Sequence, residues 1–169
     1  MIATRRLQFV AVEQRHKRAL AAGGATLGEL LGVQIPRGWP QFPEAFTPAP
    51  DAPESPPSQW CGYFFVDAEA AALVGNGGFH SPPNDAGEIE FGYEIAPELQ
   101  NRGYATEAVR GLAEFAFADA RIRRVVAHTL AHTNASNAVL IKAGFQFVEE
   151  LPNDEVGKVW RWHRARSPD

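Results

Sequence analysis

The sequence predicts a mixed α/β fold, with a mixed, mostly antiparallel twisted sheet of six to seven strands flanked by four helices. Three observations carry this prediction. Short segments alternate apolar and polar residues at strand period, others repeat apolar residues at helical spacing, and a strand, helix and strand in the second half form one crossover unit. The 169 residues, 45% hydrophobic and 21% charged, suit one globular domain spanning 1–169 with a sizeable core.

Residues 7–12 read as a first strand. From 13 to 31 the apolar spacing is helical, and Gly23-Gly24 divides it into two helices. Eight of the 13 prolines lie in residues 36–57, which therefore form a proline-rich loop within the domain. Trp39, Phe42 and Phe46 interleave with those prolines, either packing the loop onto the domain or lining a pocket. Residues 60–66 and 72–79 form a hairpin across the acidic turn at 67–69, and 88–95 is a third strand. In 103–120, Ala105, Ala108, Val109, Leu112, Phe115 and Ala116 make an apolar helical face, while Glu107, Arg110 and Glu114 are spaced to pair on another. Residues 123–130 are a buried-type strand, 136–142 a short helix ended by Gly144, and 145–150 and 156–163 two final strands.

Composition excludes several classes of function. A net charge of −4 argues against general nucleic-acid binding, which must neutralise many phosphates. The single cysteine, Cys61, allows no intrachain disulfide and no multi-thiolate metal site, which fits a cytoplasmic protein. Residues 1–10 lack a signal-peptide pattern, and no window approaches the roughly 18 apolar residues of a spanning helix. His128 and His132 lie four apart but straddle a strand end without a third ligand, so no metal site is expected. Trp160 and Trp162 fall on one face of the last strand.

The chemistry lies in the run Tyr93-Glu94-Ile95-Ala96-Pro97-Glu98-Leu99-Gln100-Asn101-Arg102-Gly103-Tyr104-Ala105-Thr106-Glu107, where a strand passes through a short loop into the long helix. A helix start leaves its first N–H groups without partners and carries partial positive charge, Gly103 permits close approach, and Arg102 adds a full charge. Such a junction suits a diphosphate, although a glycine here also serves simply to make the turn. Gln100-x-x-Gly103-x-Ala105 resembles the Q/R-x-x-G-x-G/A signature of the GNAT acetyltransferase superfamily. Residues 90–98 are similar to the preceding strand of its branch that includes ribosomal-protein N-terminal acetyltransferases. Residues 134–145, ending Lys142-Ala143-Gly144-Phe145, resemble that branch's second motif, and order and spacing agree. The resemblance covers residues 60–163 well and the first strand and helices weakly.

The resemblance implies a GNAT-like fold and acetyl-coenzyme A as co-substrate, with no metal. Its pyrophosphate would lie on the amides of Gln100, Asn101, Arg102, Gly103, Tyr104, Ala105 and Thr106. Its pantetheine arm would follow Tyr93, Glu94 and Ile95 in a slot opened by two splayed strands, with Asn134 or Ser136 opposite and Lys142 near the donor. The implied reaction is direct attack of a primary amine, on a protein N-terminus or small molecule, in a ternary complex. Neither nucleic acid nor membrane is expected as a partner, and a homodimer is compatible with the family.

An amine near the lysine reference value of roughly 10 must lose a proton before attack, so a carboxylate base is expected. Strand alternation places Glu88, Glu90, Gly92 and Glu94 on one face. Glu90 is the first candidate base and Glu94 the second; either can equally be part of a solvated strand face. Many members of the superfamily carry a Tyr acid where this chain has Leu140, and Thr133 stands where Asn is common, with Asn134 one place later. Ser136 is then the substitute acid, or a helix cap, with water or no acid as the alternative because a thiol near 8.5 leaves readily. The missing Tyr supports a rival function, a non-catalytic sensor or interaction module that binds coenzyme A or acyl-coenzyme A.

Overall fold

A computed structural model describes residues 2–52 and 58–167, so residues 53–57 of the proline-rich loop lie outside the described residues. The described residues form eight strands and four α-helices in the order β1 (Ile2–Ala3), β2 (Leu7–Ala11), α1 (Gln14–Ala22), α2 (Gly24–Leu31), β3 (Gly62–Asp67), β4 (Ala72–Phe79), β5 (Glu88–Ile95), α3 (Tyr104–Ala118), β6 (Arg124–Leu130), α4 (Ala135–Lys142), β7 (Gln146–Asn153) and β8 (Gly157–Ala165). One sheet runs β1-β2-β3-β4-β5-β6-β8-β7, antiparallel throughout except for the parallel pair β5 and β6 joined by the α3 crossover.

β3 shows why its sequence is a nearly unbroken apolar run. Tyr63 and Phe65 enter the core beneath α3, whereas Phe64 and Val66 enter a second core on the opposite face. A strand covered on both sides loses the polar alternation of a half-exposed one. In α3, Ala108, Val109, Leu112, Ala113 and Ala116 are buried at three- and four-residue spacing and press onto the first core.

The loop after α2 closes the second core. Trp39 is 7% exposed, its indole donates to Asn76 Oδ1 at 2.7 Å, and its ring lies 5.4 Å from Phe46 and 5.9 Å from Phe64. Trp39 therefore packs the loop onto the sheet, while Phe42 remains 58% exposed. Residues 43–46 wind into one 3₁₀ turn inside the stretch expected to be extended, with Pro43 opening that turn.

Three local expectations are corrected. Residues 60 and 61 precede β3 instead of belonging to it, and a two-residue strand, β1, precedes the first expected strand. Glu107 does not pair along α3: it accepts from Thr4 at 2.6 Å and from the Arg6 guanidinium at 2.7 Å, while Arg110 donates to the Lys142 carbonyl at 2.6 Å. A part-buried tertiary pair outcompetes an exposed helical neighbour worth a few tenths of a kcal/mol. Among the described residues no helix is long and apolar enough to cross a membrane.

Removing the loop's anchor gives a direct test. Trp39→Ala leaves a cavity and strips Asn76 of its donor, and is expected to cost about 3–5 kcal/mol in chemical denaturation. Phe42→Ala, which empties no core space, should stay within about 0.5 kcal/mol of wild type.

Candidate active site

β5 and β6 are paired only where Glu88, Ile89 and Glu90 face Arg124, Val125 and Val126. Beyond them the strands part, while β5 remains laddered to β4 through Ile95. The β5 backbone groups that would have met β6 therefore border an opening. At its end the Ile95 carbonyl accepts the side-chain amides of Gln41 at 3.3 Å and Gln100 at 3.2 Å. Tyr93 ties the two walls together through its phenol, which donates to the Ser136 carbonyl at 3.4 Å; burial pushes that phenol up to about 12.

From Ile95 the chain makes a 3₁₀ turn, Pro97–Leu99, and then passes through two left-handed residues, Asn101 (φ 62°) and Gly103 (φ 79°). Gly103 is the N-cap of α3 and offers no side chain to cap the helix. The first-turn amides of Tyr104, Ala105 and Thr106 thus lack intrahelical acceptors and face a cavity of about 600 Å³. Its lining brings together Tyr93, Glu94, Ile95, Gln100, Asn101, Gly103, Tyr104, Ala105, Thr106, Ser136 and Lys142. Two other expected donor residues turn elsewhere. The Arg102 guanidinium donates back to the Glu98 carbonyl at 3.2 Å, outside that lining, and Asn134 caps α4 by accepting the Asn137 amide at 3.1 Å. Because Asn134 is the cap, Ser136 sits inside the first turn and does not serve as one.

The carboxylate in the first turn of α3 is neutralised by its neighbours. Glu107 would place a carboxylate in the first turn, but Thr4 and Arg6 hold it; their hydrogen bonds outweigh the upward push of burial and leave it below the usual carboxylate range. Arg6 also lies over the Tyr104 ring at 4.3 Å, and the Tyr104 hydroxyl donates to Asp67 at 2.8 Å.

The carboxylates on the β5 face have different partners. Glu88 binds Arg124 at 3.0 Å and Arg161 at 2.9 Å. Glu90 lies 2.7 Å from His128 Nδ1 and 3.5 Å from His80 Nδ1, and hydrogen bonds from these rings lower it to about 2. Glu94 is buried, accepts the Gln41 amide at 3.0 Å through Oε2, and has no partner for Oε1 among the described residues. Burial pushes it above the ordinary 4.5, with the Glu44 charge adding to the rise. Of the two candidate bases, Glu94 is the one whose proton affinity is raised and Glu90 the one whose proton affinity is lowered.

Glu94, Tyr93 and Phe42 also line a second cavity of about 400 Å³ on the far side of β5. Gly62, Gly78 and Gly92 form part of its floor, and Lys17 and His80 stand on its wall. Sequence reading missed Gln41, Lys17 and His80, which carry no motif and reach the site only through loop and helix packing. Leu140, where the resemblance places a Tyr acid, is fully buried in the first core, so no acid can act there. Cys61 borders the second cavity with its thiol pushed up by burial, which disfavours the thiolate.

Comparison with known proteins shows the family and the fold. A family model described as an acetyltransferase (GNAT) domain matches residues 33–146. An uncharacterized N-acetyltransferase, YoaA of Bacillus subtilis, is 35% identical over 74 residues, covering 44% of this chain and 42% of that protein. The chain spans less than half the length of the curated relatives it matches. Among solved structures, the ribosomal L7/L12 alpha-N-protein acetyltransferase RimL in complex with coenzyme A superposes with a TM-score of 0.67 at 17% identity, covering 98% of this chain and 96% of the other. The microcin C7 self immunity acetyltransferase MccE, in complex with acetyl-CoA and AMP, gives 0.66 at 14%, covering 96% and 93%. At those identities the likeness is one of fold.

The raised Glu94 predicts a pH signature. A carboxyl lifted above its unfolded value stabilises fully below 4.5 and loses that contribution as pH rises through its folded value. Glu94→Gln should therefore melt higher than wild type near neutral pH, and the two melting temperatures should converge below about pH 4 in a scan across pH.

Proposed function

The chain belongs to the GNAT acetyltransferase family, and on that premise we propose that it transfers the acetyl group of acetyl-coenzyme A to a primary amine by direct attack in a ternary complex. One observation carries this reading: the uncapped start of α3 and the parted strands share a cavity that reaches Glu94, and Glu94 also borders a second cavity behind β5. Donor and acceptor can then approach one carboxylate from two sides.

The residues fit the donor. The amides of Tyr104, Ala105 and Thr106, with the left-handed turn at Asn101 and Gly103, suit the diphosphate, and Lys142 supplies a cation on the same wall. The open edge of β5 from Tyr93 to Ile95 suits an extended amide-bearing arm, which would complete the hydrogen bonds that β6 does not. When bound, acetyl-coenzyme A supplies an activated acyl carbon and a thiol leaving group.

Glu94 serves as the base at the junction of the cavities. A buried carboxylate with raised proton affinity attracts an ammonium group, takes a proton from the attacking nitrogen at Oε1, and can release it again toward the departing sulfur. The Ser136 hydroxyl lines the opposite wall and can hydrogen-bond that sulfur. Phe42, exposed and shared by both cavities, shields the junction from water.

Calorimetric titration with acetyl-coenzyme A tests the donor site. Wild type should bind, and Gly103→Glu, which adds a charged side chain at the left-handed cap, should not. An amine library read by thiol release then tests transfer, with Glu94→Gln expected to lose about 100-fold or more in kcat. Binding without turnover of any amine would favour the sensor reading suggested by Leu140.

A further inference from the structure

Glu90 is the centre of a cluster that the transfer chemistry above leaves unused. His80 follows β4 directly and extends its ladder, donating its amide to the Glu90 carbonyl at 3.1 Å. Its ring has two distinct sides. Nδ1 lies 3.5 Å from Glu90 Oε1. Nε2 lies over Gly92, 2.9 Å from where a β-carbon there would sit, and His80 and Gly92 both line the second cavity. Glu90 is held from behind by His128 Nδ1 at 2.7 Å. A carboxylate within ion-pair distance of one nitrogen of an imidazole, with the other nitrogen over the glycine floor of a cavity, is an arrangement that favours the second nitrogen as a base.

We propose that His80 is a second catalytic base, accepting at Nε2 the first proton of the incoming ammonium group while Glu90 holds its Nδ1–H. This rests on the transfer reading. The proton balance requires two acceptors. A protonated primary amine has three nitrogen-bound protons and the amide product one; one of the two lost ends on the thiol and the other must reach solvent. At His80 the ammonium N–H bond breaks and its electron pair stays on nitrogen. An Nε2–H bond forms, and the imidazolium charge is balanced by Glu90. The His80 side chain is 58% exposed, so its proton can pass to water, leaving the neutral amine to attack over the glycine floor with Glu94 receiving the second proton.

The electrostatic surroundings agree. Glu90 on β5 raises the imidazole above 6.5 against the opposing effect of burial. Across the cavity stand Lys17 of α1, Cys61 and Tyr63 at β3, and Tyr93 and Glu94 of β5. Behind Glu90 lie His128 of β6 and the Glu88 pairs with Arg124 and Arg161, which neutralise the next carboxylate in the row. Glu90 and His128 act through His80 and are positioning residues.

Nitrogen-15 spectroscopy of the histidine rings provides a readout without donor or acceptor. His80, assigned by its loss in His80→Gln, should carry its neutral-state proton on Nδ1 and titrate above 6.5, moving back toward 6.5 in Glu90→Gln. With acetyl-coenzyme A and isoamylamine or phenethylamine, His80→Gln should lose about 100-fold in kcat/KM together with the ascending limb of the pH profile. Calorimetric binding of acetyl-coenzyme A should persist. A neutral-state proton on Nε2, a titration unmoved by Glu90→Gln, or a His80→Gln profile like that of wild type would overturn the role of His80 alone. Wild type that binds the donor but turns over neither of these amines nor any other of the amine library would overturn the transfer reading, and this inference with it.

Discussion

The parting of β5 from β6 after three paired residues is the constraint on which the rest of the molecule depends. A central sheet normally satisfies every backbone group across its width, and an interior gap leaves donors and acceptors facing open space. The fold tolerates the gap because each side is held independently. β5 remains laddered to β4, β6 is paired to β8 along its whole length, and Tyr93 and the two glutamine side chains span or cap what is open. The crossover helix begins where the gap ends, so an unpaired strand edge and an uncapped helix start are presented to one cavity.

Holding that junction open requires charge control at its margins. Glu107 sits in the first turn of α3, and its attachment to Thr4 and Arg6 ties the turn between β1 and β2 to the start of that helix. The same Arg6 covers Tyr104, whose hydroxyl is anchored on Asp67 at the end of β3. Thus the edge of the sheet formed by β1 and β2, which bears no motif, fixes the orientation of the helix whose amides face the cavity.

Along the other face of β5, three glutamates two or four residues apart take on three different characters. Glu88 is neutralised by two arginines, Glu90 is pinned between two imidazoles, and Glu94 is buried with one oxygen unpartnered. The glycine pair Gly78 and Gly92, opposite each other in the β4 and β5 ladder, opens the space between the last two and lets the His80 ring lie over the backbone. Chemical difference arises here from partners and burial, since the residue type is constant.

Local patterning was sufficient for most of the fold. Strand alternation, helical spacing and the Gly23-Gly24 break located α1, α2, β4, β5 and α3 to within a residue or two, because each of these depends on near neighbours and on one buried face. The strand end, the glycine turn and the helix start in the run from Tyr93 to Thr106 were likewise legible, since they are contiguous in sequence, and together they line one cavity. What lies far apart in the chain was decided only by folding. The higher proton affinity of Glu94 than of Glu90, the capture of Glu107 by Arg6 and the convergence of Gln41, Lys17 and His80 on the two cavities result from pairings between segments far apart in the chain. A sequence states which side chains can bear charge. Burial and the opposing partner, set by how β5 is flanked on either side, determine which of them keeps a proton.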